Sequence, residues 1–372
     1  TGILRNSINR QDTYGLISKL NYIVNDELEL QVGLDWRTAG IEHAREVRDL
    51  LGGDYYVDFA DDNAPDGKVV RLGDKIAYSN TTTVDWLGFF GQGSYSSGPI
   101  SAYGMVGFTN IAYTDQDSFT VAQKIVDHGD AITATQFKGG AMYDINDNMS
   151  AFANFGLVEK PPILDNVIDY DGNVSQNPDN EKFTSFEIGG EYGSELVAIK
   201  GSYYNTQWQD RNLTKSVSTG QGSSGDTDII YLTGVNQSHS GVEIESKVAL
   251  HEMVDLDVSV SVGDWYFDGD AKGDYTELEY NEENQVIGQT STEYEYALNN
   301  LKVGDMPQTA YVGGLTIKPI DGLRVQGLYR WYDNHYSDWS PDSREVEGDA
   351  DRAQVWKLSL IHISEPTRPR LI

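Results

Sequence analysis

The sequence contains no cysteine and only 10 prolines in 372 residues. Without Cys it can build neither a disulfide scaffold nor a thiolate metal site. Positive charge is also scarce. Lys and Arg number 27 against 58 Asp and Glu, for a formal net charge of −31. A chain this acidic repels phosphate, which excludes nucleic acid as a partner. No apolar run reaches the ~18 residues that a membrane-spanning helix needs. Catalytic signatures are missing too: there is no H-E-x-x-H and no G-x-S-x-G. Gly91-Gln-Gly93 starts a dinucleotide-like pattern but lacks its third glycine. The six His (His43, His128, His239, His251, His335 and His362) form no motif. The residues therefore point to no enzyme and no cofactor.

What the sequence has is aromatic residues at 11%, 23 Tyr and 38 Gly, a composition poorly suited to disorder. Its dominant pattern has a period of two. Val254, Leu256, Val258, Val260 and Val262 alternate with Asp255, Asp257, Ser259 and Ser261, and Val242, Ile244, Ser246 and Val248 alternate with Glu243, Glu245 and Lys247. Such runs are strands with one apolar and one polar face. Six strand pairs are expected: 14–24 with 27–37, 83–96 with 100–114, 133–145 with 149–157, 182–193 with 196–210, 239–250 with 254–267, and 308–319 with 323–336. A thirteenth strand is expected to begin near Ala353. Links within pairs are short and turn-like, as at Asn25-Asp26 and Ser97-Gly98-Pro99. Links between pairs are long and polar, at about 38–82, 115–132, 158–181, 211–238, 268–307 and 337–352.

Short turns at one rim and long loops at the other describe a transmembrane barrel. Strands of about 10–14 residues suit a tilted bilayer crossing, which takes ~9–11 residues. The fold class expected is all-β: a partial, antiparallel, up-and-down barrel in the cell outer membrane, with short periplasmic turns and long extracellular loops. Its apolar parity faces lipid, because carboxylates such as Glu243, Asp255 and Asp257 would be far too costly there. Trp36, Trp86, Tyr266, Tyr329 and Trp331 are expected to form the interfacial aromatic girdles.

Four stretches carry a resemblance to a known family. They are Asn154-Phe-Gly-Leu-Val-Glu-Lys160-Pro161-Pro162, Asn177-Pro178-Asp-Asn-Glu181-Lys-Phe-Thr-Ser-Phe-Glu187-Ile-Gly189, Gly234-Val-Asn-Gln-Ser-His-Ser-Gly241-Val-Glu243-Ile-Glu245, and Met306-Pro307 through Pro319 with Tyr336-Ser-Asp338. In this order they resemble the C-terminal part of the β-barrel of TonB-dependent outer-membrane receptors of the Bacteroidota type. Lys160 stands where that family usually has Arg, and the second stretch lacks a usual Leu and Pro. The resemblance implies a 22-strand barrel with a plugged lumen, of which 12 or 13 strands lie here. It further implies import of a siderophore, vitamin or oligosaccharide by energised plug movement. The implied partners are the TonB-ExbB-ExbD complex through a missing N-terminal part, a small-molecule or glycan substrate, outer-membrane lipid and lipopolysaccharide, and a surface lipoprotein. A plug-less porin or adhesin is the alternative. The ending Leu358-Ser-Leu-Ile-His-Ile-Ser-Glu-Pro-Thr-Arg368 resembles a translated sequencing adapter. Residues 1–357 are thus expected to be the barrel fragment and 358–372 a non-native tail.

Two kinds of site residue follow. By parity Trp208, Trp265, Arg330 and Tyr332 point inward, and aromatic faces beside polar groups suit glycans or siderophores. Two acidic stretches offer the hard oxygen ligands that Ca²⁺ uses: Asp58, Asp61 and Asp62 in one, Asp169 and Asp171 in the other. Neither completes an EF-hand spacing, so solvated acidic loops are the plainer expectation.

Overall fold

The computed structural model describes residues 2–120, 125–127, 131–168, 179–218, 227–280, 286–339 and 344. They form seventeen strands and a single 3-10 turn at Leu164–Asn166. The strands are β1 (Leu4–Ile23), β2 (Leu28–Asp49), β3 (Tyr56–Asp58), β4 (Lys68–Val70), β5 (Lys75–Ser97), β6 (Ile100–Asp117), β7 (Ile125–Asp127), β8 (Ile132–Asn146), β9 (Met149–Lys160), β10 (Glu181–Gly193), β11 (Val197–Ser218), β12 (Thr227–His251), β13 (Val254–Phe267), β14 (Ala271–Tyr280), β15 (Val286–Tyr296), β16 (Pro307–Ile320) and β17 (Leu323–His335). Hydrogen-bonded neighbours run β1-β2-β5-β6-β8-β9-β10-β11-β12-β13-β16-β17, with β7 beside β6 and β14 between β12 and β15. All six expected hairpins are present, each closed by its expected short turn.

The chain divides into two compact units, Thr1–Tyr95 with Tyr103–Phe137 and Val158–Asn180, and Ser96–Ala102 with Lys138–Leu157 and Glu181–Ile372. In the first, Leu16 faces Trp36, and Trp36 faces Leu87, so the three make one row across β1, β2 and β5. All three are exposed. In the second, Ile188, Tyr203, Val242 and Val262 make a row across β10, β11, β12 and β13, again exposed. An apolar band of this extent is an aggregation hazard in water but complements acyl chains. The alternate rows are polar. Lys200, Glu245, Ser259, Val312 and Arg330 share one, and Ser202, Glu243, Ser261, Ala310 and Tyr332 the next. These rows form the inner face.

Three expectations change. The strands run beyond 10–14 residues, up to 25 in β12. Thr81-Thr82-Thr83 and Val47 continue the ladder past the apolar stretch, because β-branched residues suit a paired strand whether or not lipid is present. The expected loops 38–82, 115–132 and 268–307 hold strands of their own, including the β14–β15 hairpin. Trp86 is no girdle residue. It faces Arg37 on the inner face, while Leu87 takes the outward slot, and it packs against Ile111, Tyr113 and Val167. The strand expected near Ala353 and the tail at 358–372 lie outside the described residues.

Small buried clusters sit at the loop ends of the strands. Leu232, Val235, Phe267, Tyr296, Leu298 and Trp339 form one, in which the Phe267 and Trp339 rings meet edge to face at 6.2 Å. This cluster holds the base of the β14–β15 hairpin where β14 pairs with β12.

Candidate ligand-binding site

The second unit gathers its inward aromatic residues near the loop end of β10–β13. Trp208 faces Phe183 across the β10–β11 ladder, with ring centroids 4.7 Å apart. Its indole Nε1–H donates to Oε2 of the buried Glu181 at 2.9 Å. Across the next ladder Trp208 faces Gln237, which is 1% exposed and whose Nε2 has no partner. The Gln237 Oε1 is shared with His239 Nε2 at 3.1 Å. His239 faces Trp265 on β13, ring centroids 5.8 Å apart. Trp265 is held by three bonds. Its Nε1–H donates to Tyr204 Oη at 2.9 Å, its backbone N–H to Gln308 Oε1 at 3.0 Å, and its carbonyl accepts from Gln308 Nε2 at 2.8 Å. The Trp265 side chain is thus tethered to β11, and its backbone to β16.

Between Trp208 and Arg211 the register slips: three steps on β11 match two on β12, from Gln237 to Val235. This is a β-bulge, with Asp210 in the left-handed region at φ 55°. It returns Arg211 to the face of Trp208, and the guanidinium carbon lies 4.1 Å from the indole centroid. The carboxylates of Glu181 and Asp338 lie within electrostatic reach of it. Asp338 is itself paired with Lys215.

The four residues expected to point inward all lie on the inner face, but in two groups. Trp208 and Trp265 belong to the cluster above. Arg330 and Tyr332 face Val312 and Ala310 on β16, the latter in the row of Ser261, four positions along β13 from Trp265. The cluster members missed by sequence reasoning are Arg211, Gln237, His239 and Tyr204. Parity alone puts Arg211 on the face opposite Trp208, and only the left-handed-tolerant Asp210 and Gly234 nearby hint at irregularity.

The motif positions are mostly structural neighbours of one another. Glu187 Oε2 accepts from Asn154 Nδ2 at 3.1 Å, joining the first stretch to the second. The Pro162 carbonyl, beyond Lys160 and Pro161, accepts from Tyr113 Oη at 2.9 Å. A Cβ on Gly189 would lie 2.5 Å from the Phe152 ring, and one on Gly241 2.6 Å from Tyr204 Oη. Glu243 Oε1 accepts from Ser261 Oγ at 3.4 Å, Glu245 faces Lys200, and Pro307 faces His335. Asn177 and Pro178 lie outside the described residues.

Of the acidic positions, Asp58 is buried and accepts from the Ala77 backbone N–H at 3.1 Å. Asp61, also buried, pairs with Lys68 Nζ at 2.8 Å and accepts from Asn63. Asp62 is exposed, and Asp169 and Asp171 lie outside the described residues. Among the described residues no group of three or more acidic or His side chains is placed to hold a metal ion.

The family model described as "TonB dependent receptor-like, beta-barrel" matches residues 2–366. The chain belongs to this family. As a TonB-dependent receptor barrel it resides in the outer membrane, with its apolar face to lipid and its inner face to the lumen. No curated protein sequence matches it. Solved receptors share its fold. The copper transporter OprC aligns with a TM-score of 0.55 at 15% identity, covering 87% of this chain and 50% of that one. The siderophore receptor PiuA from Acinetobacter baumannii aligns at 0.53 and 12%, covering 89% and 47%. The ferric yersiniabactin uptake receptor FyuA from Yersinia pestis aligns at 0.51 and 12%, covering 92% and 52%. The chain thus spans about half the length of the solved receptors it matches.

Proposed function

We propose that this receptor barrel imports a scarce small molecule across the outer membrane, driven by TonB-ExbB-ExbD through movement of a lumenal plug. The observation that carries the reading is the fixed aromatic and polar cluster of Trp208, Gln237, His239, Trp265 and Tyr204 on the lumenal face. Rigid rings beside unspent polar groups are what a lumenal wall needs to select a solute from dilute solution. Family membership supports the energised mechanism, and the fold is shared with proteins named as a copper transporter and as siderophore receptors. The ligand class is therefore a siderophore, metal chelate, vitamin or oligosaccharide, delivered with or without a surface lipoprotein.

The test is growth of a strain lacking the gene on limiting iron chelates, cobalamin and oligosaccharides, with TonB intact or removed. A defect on one nutrient that TonB removal reproduces and the gene restores is the expected result. A defect indifferent to TonB would replace the reading with a passive porin, and no nutrient defect would replace it with an adhesin.

A further inference from the structure

Arg211 is a half-buried cation whose guanidinium nitrogens have no hydrogen-bond or ion-pair partner among the described residues. Its guanidinium stacks on the Trp208 ring. A desolvated cation without a partner is costly, and this chain has 58 carboxylates from which to supply one. The two nearest carboxylates are committed elsewhere, Glu181 to the Trp208 indole and Asp338 to Lys215. A second orphan lies on the adjacent strand: Gln237 is 1% exposed, faces Trp208, and its Nε2–H₂ group has no acceptor. Its Oε1 is engaged with His239, so the unpartnered end of the amide is the donor. Gln237 Nε2 is the buried orphan on this wall, and the half-buried Arg211 fork beside it has no acceptor from the protein, so an acceptor from outside can serve both.

We propose that Arg211 and Gln237 form the recognition point for a carboxylate on the imported ligand. The indole covers one face of the guanidinium, which leaves its in-plane N–H fork as the available edge. That edge matches a planar carboxylate through two parallel bonds. The charges of Glu181 and Asp338 nearby disfavour a phosphate dianion more than a singly charged carboxylate. The β-bulge at Asp210 supplies the geometry, because it turns Arg211 from the lipid parity to the lumenal one. This inference rests on the import reading for its biological setting but not for its chemistry.

The experiment follows tryptophan fluorescence of the full chain in outer-membrane vesicles during titration with benzoate, benzamide and inorganic phosphate. Benzoate is expected to quench saturably, and benzamide and phosphate more weakly. Arg211→Gln is expected to weaken benzoate by about tenfold or more, the loss of a charge-assisted pair, with Arg211→Lys in between. Arg324→Gln, at the turn end of β17, is expected to bind benzoate as the parent does. The proposal is overturned if benzamide or phosphate matches benzoate, if folded Arg211→Gln binds as the parent does, or if the folded parent shows no saturable quenching by benzoate. Should Arg211→Gln fail to assemble, the benzoate–benzamide comparison on the parent decides alone. Binding without TonB-dependent uptake would sink the import reading and leave this one. TonB-dependent uptake without benzoate binding would do the reverse.

Discussion

The backbone N–H of Asp210 donates to Asn236 Oδ1 at 3.0 Å, and this bond pins the bulge that decides which way Arg211 faces. The Asp210 carboxylate is held in turn by Lys182 Nζ at 2.7 Å. A backbone irregularity on β11 is thus anchored from β10 and β12 together, which is why it can hold a cation against the indole of Trp208.

Asp210→Ile would force a β-branched residue into the left-handed region, where strain costs about 1–3 kcal/mol. Asp210→Asn, which tolerates that region, is expected to cost far less. Urea unfolding of the vesicle-embedded chain measures the difference. Equal midpoints for the Ile and Asn variants would show that the bulge is not held in the conformation described.

Close packing of the lumenal wall predicts unequal glycines. A Cβ on Gly241 would lie 2.6 Å from Tyr204 Oη and 2.8 Å from the Val262 carbonyl, whereas one on Gly313 meets nothing within 4 Å. Gly241→Ala is therefore expected to destabilise by about 1–3 kcal/mol, the usual cost of overpacking, and Gly313→Ala to be nearly silent. Heat-modifiable gel mobility of the assembled chain reads both.

The two faces of β13 are expected to tolerate charge very differently. Val258 belongs to the exposed apolar face and Ser259 to the inner one. Val258→Arg puts a cation into hydrocarbon, at about 2–4 kcal/mol near the midplane. Ser259→Arg enters a hydrated row that already holds Lys200 and Glu245. Assembly yield in the outer membrane is expected to fall for the first and hold for the second, and equal yields would refute the assignment of faces.

The loop around Asp61 should respond to acid. The hydrogen bond from Lys68 is the main cause that holds the Asp61 carboxyl below its ordinary value of 3.8, with Asn63 adding to it and burial opposing. A depressed acid stabilises the fold above its unfolded value, and that contribution is lost as pH falls through the folded one. Residues 58–70 are expected to resist protease at neutral pH and to become cleavable by pepsin as pH falls below 3.8. Lys68→Gln is expected to move the onset of cleavage upward. An onset unmoved by Lys68→Gln would assign the pH response to another group.

Much of this was legible in the sequence because lipid imposes a local rule. Every second residue of a crossing strand must be apolar, so Val254 to Val262 announce a strand, its faces and its antiparallel partner without reference to anything distant. The six hairpins, their turns and the inward placement of Trp208, Trp265, Arg330 and Tyr332 all follow from that rule. Three things did not follow from it, and each depends on a partner strand rather than on the strand's own pattern. The continuation of β2, β5 and β12 beyond the apolar band rests on cross-strand hydrogen bonds that no longer need apolar alternation. Trp86 turned inward because Leu87 holds the lipid slot opposite Trp36. Arg211 faces the lumen because one extra residue on β11, anchored by Asn236 across the ladder, inverts the parity that simple counting assigns.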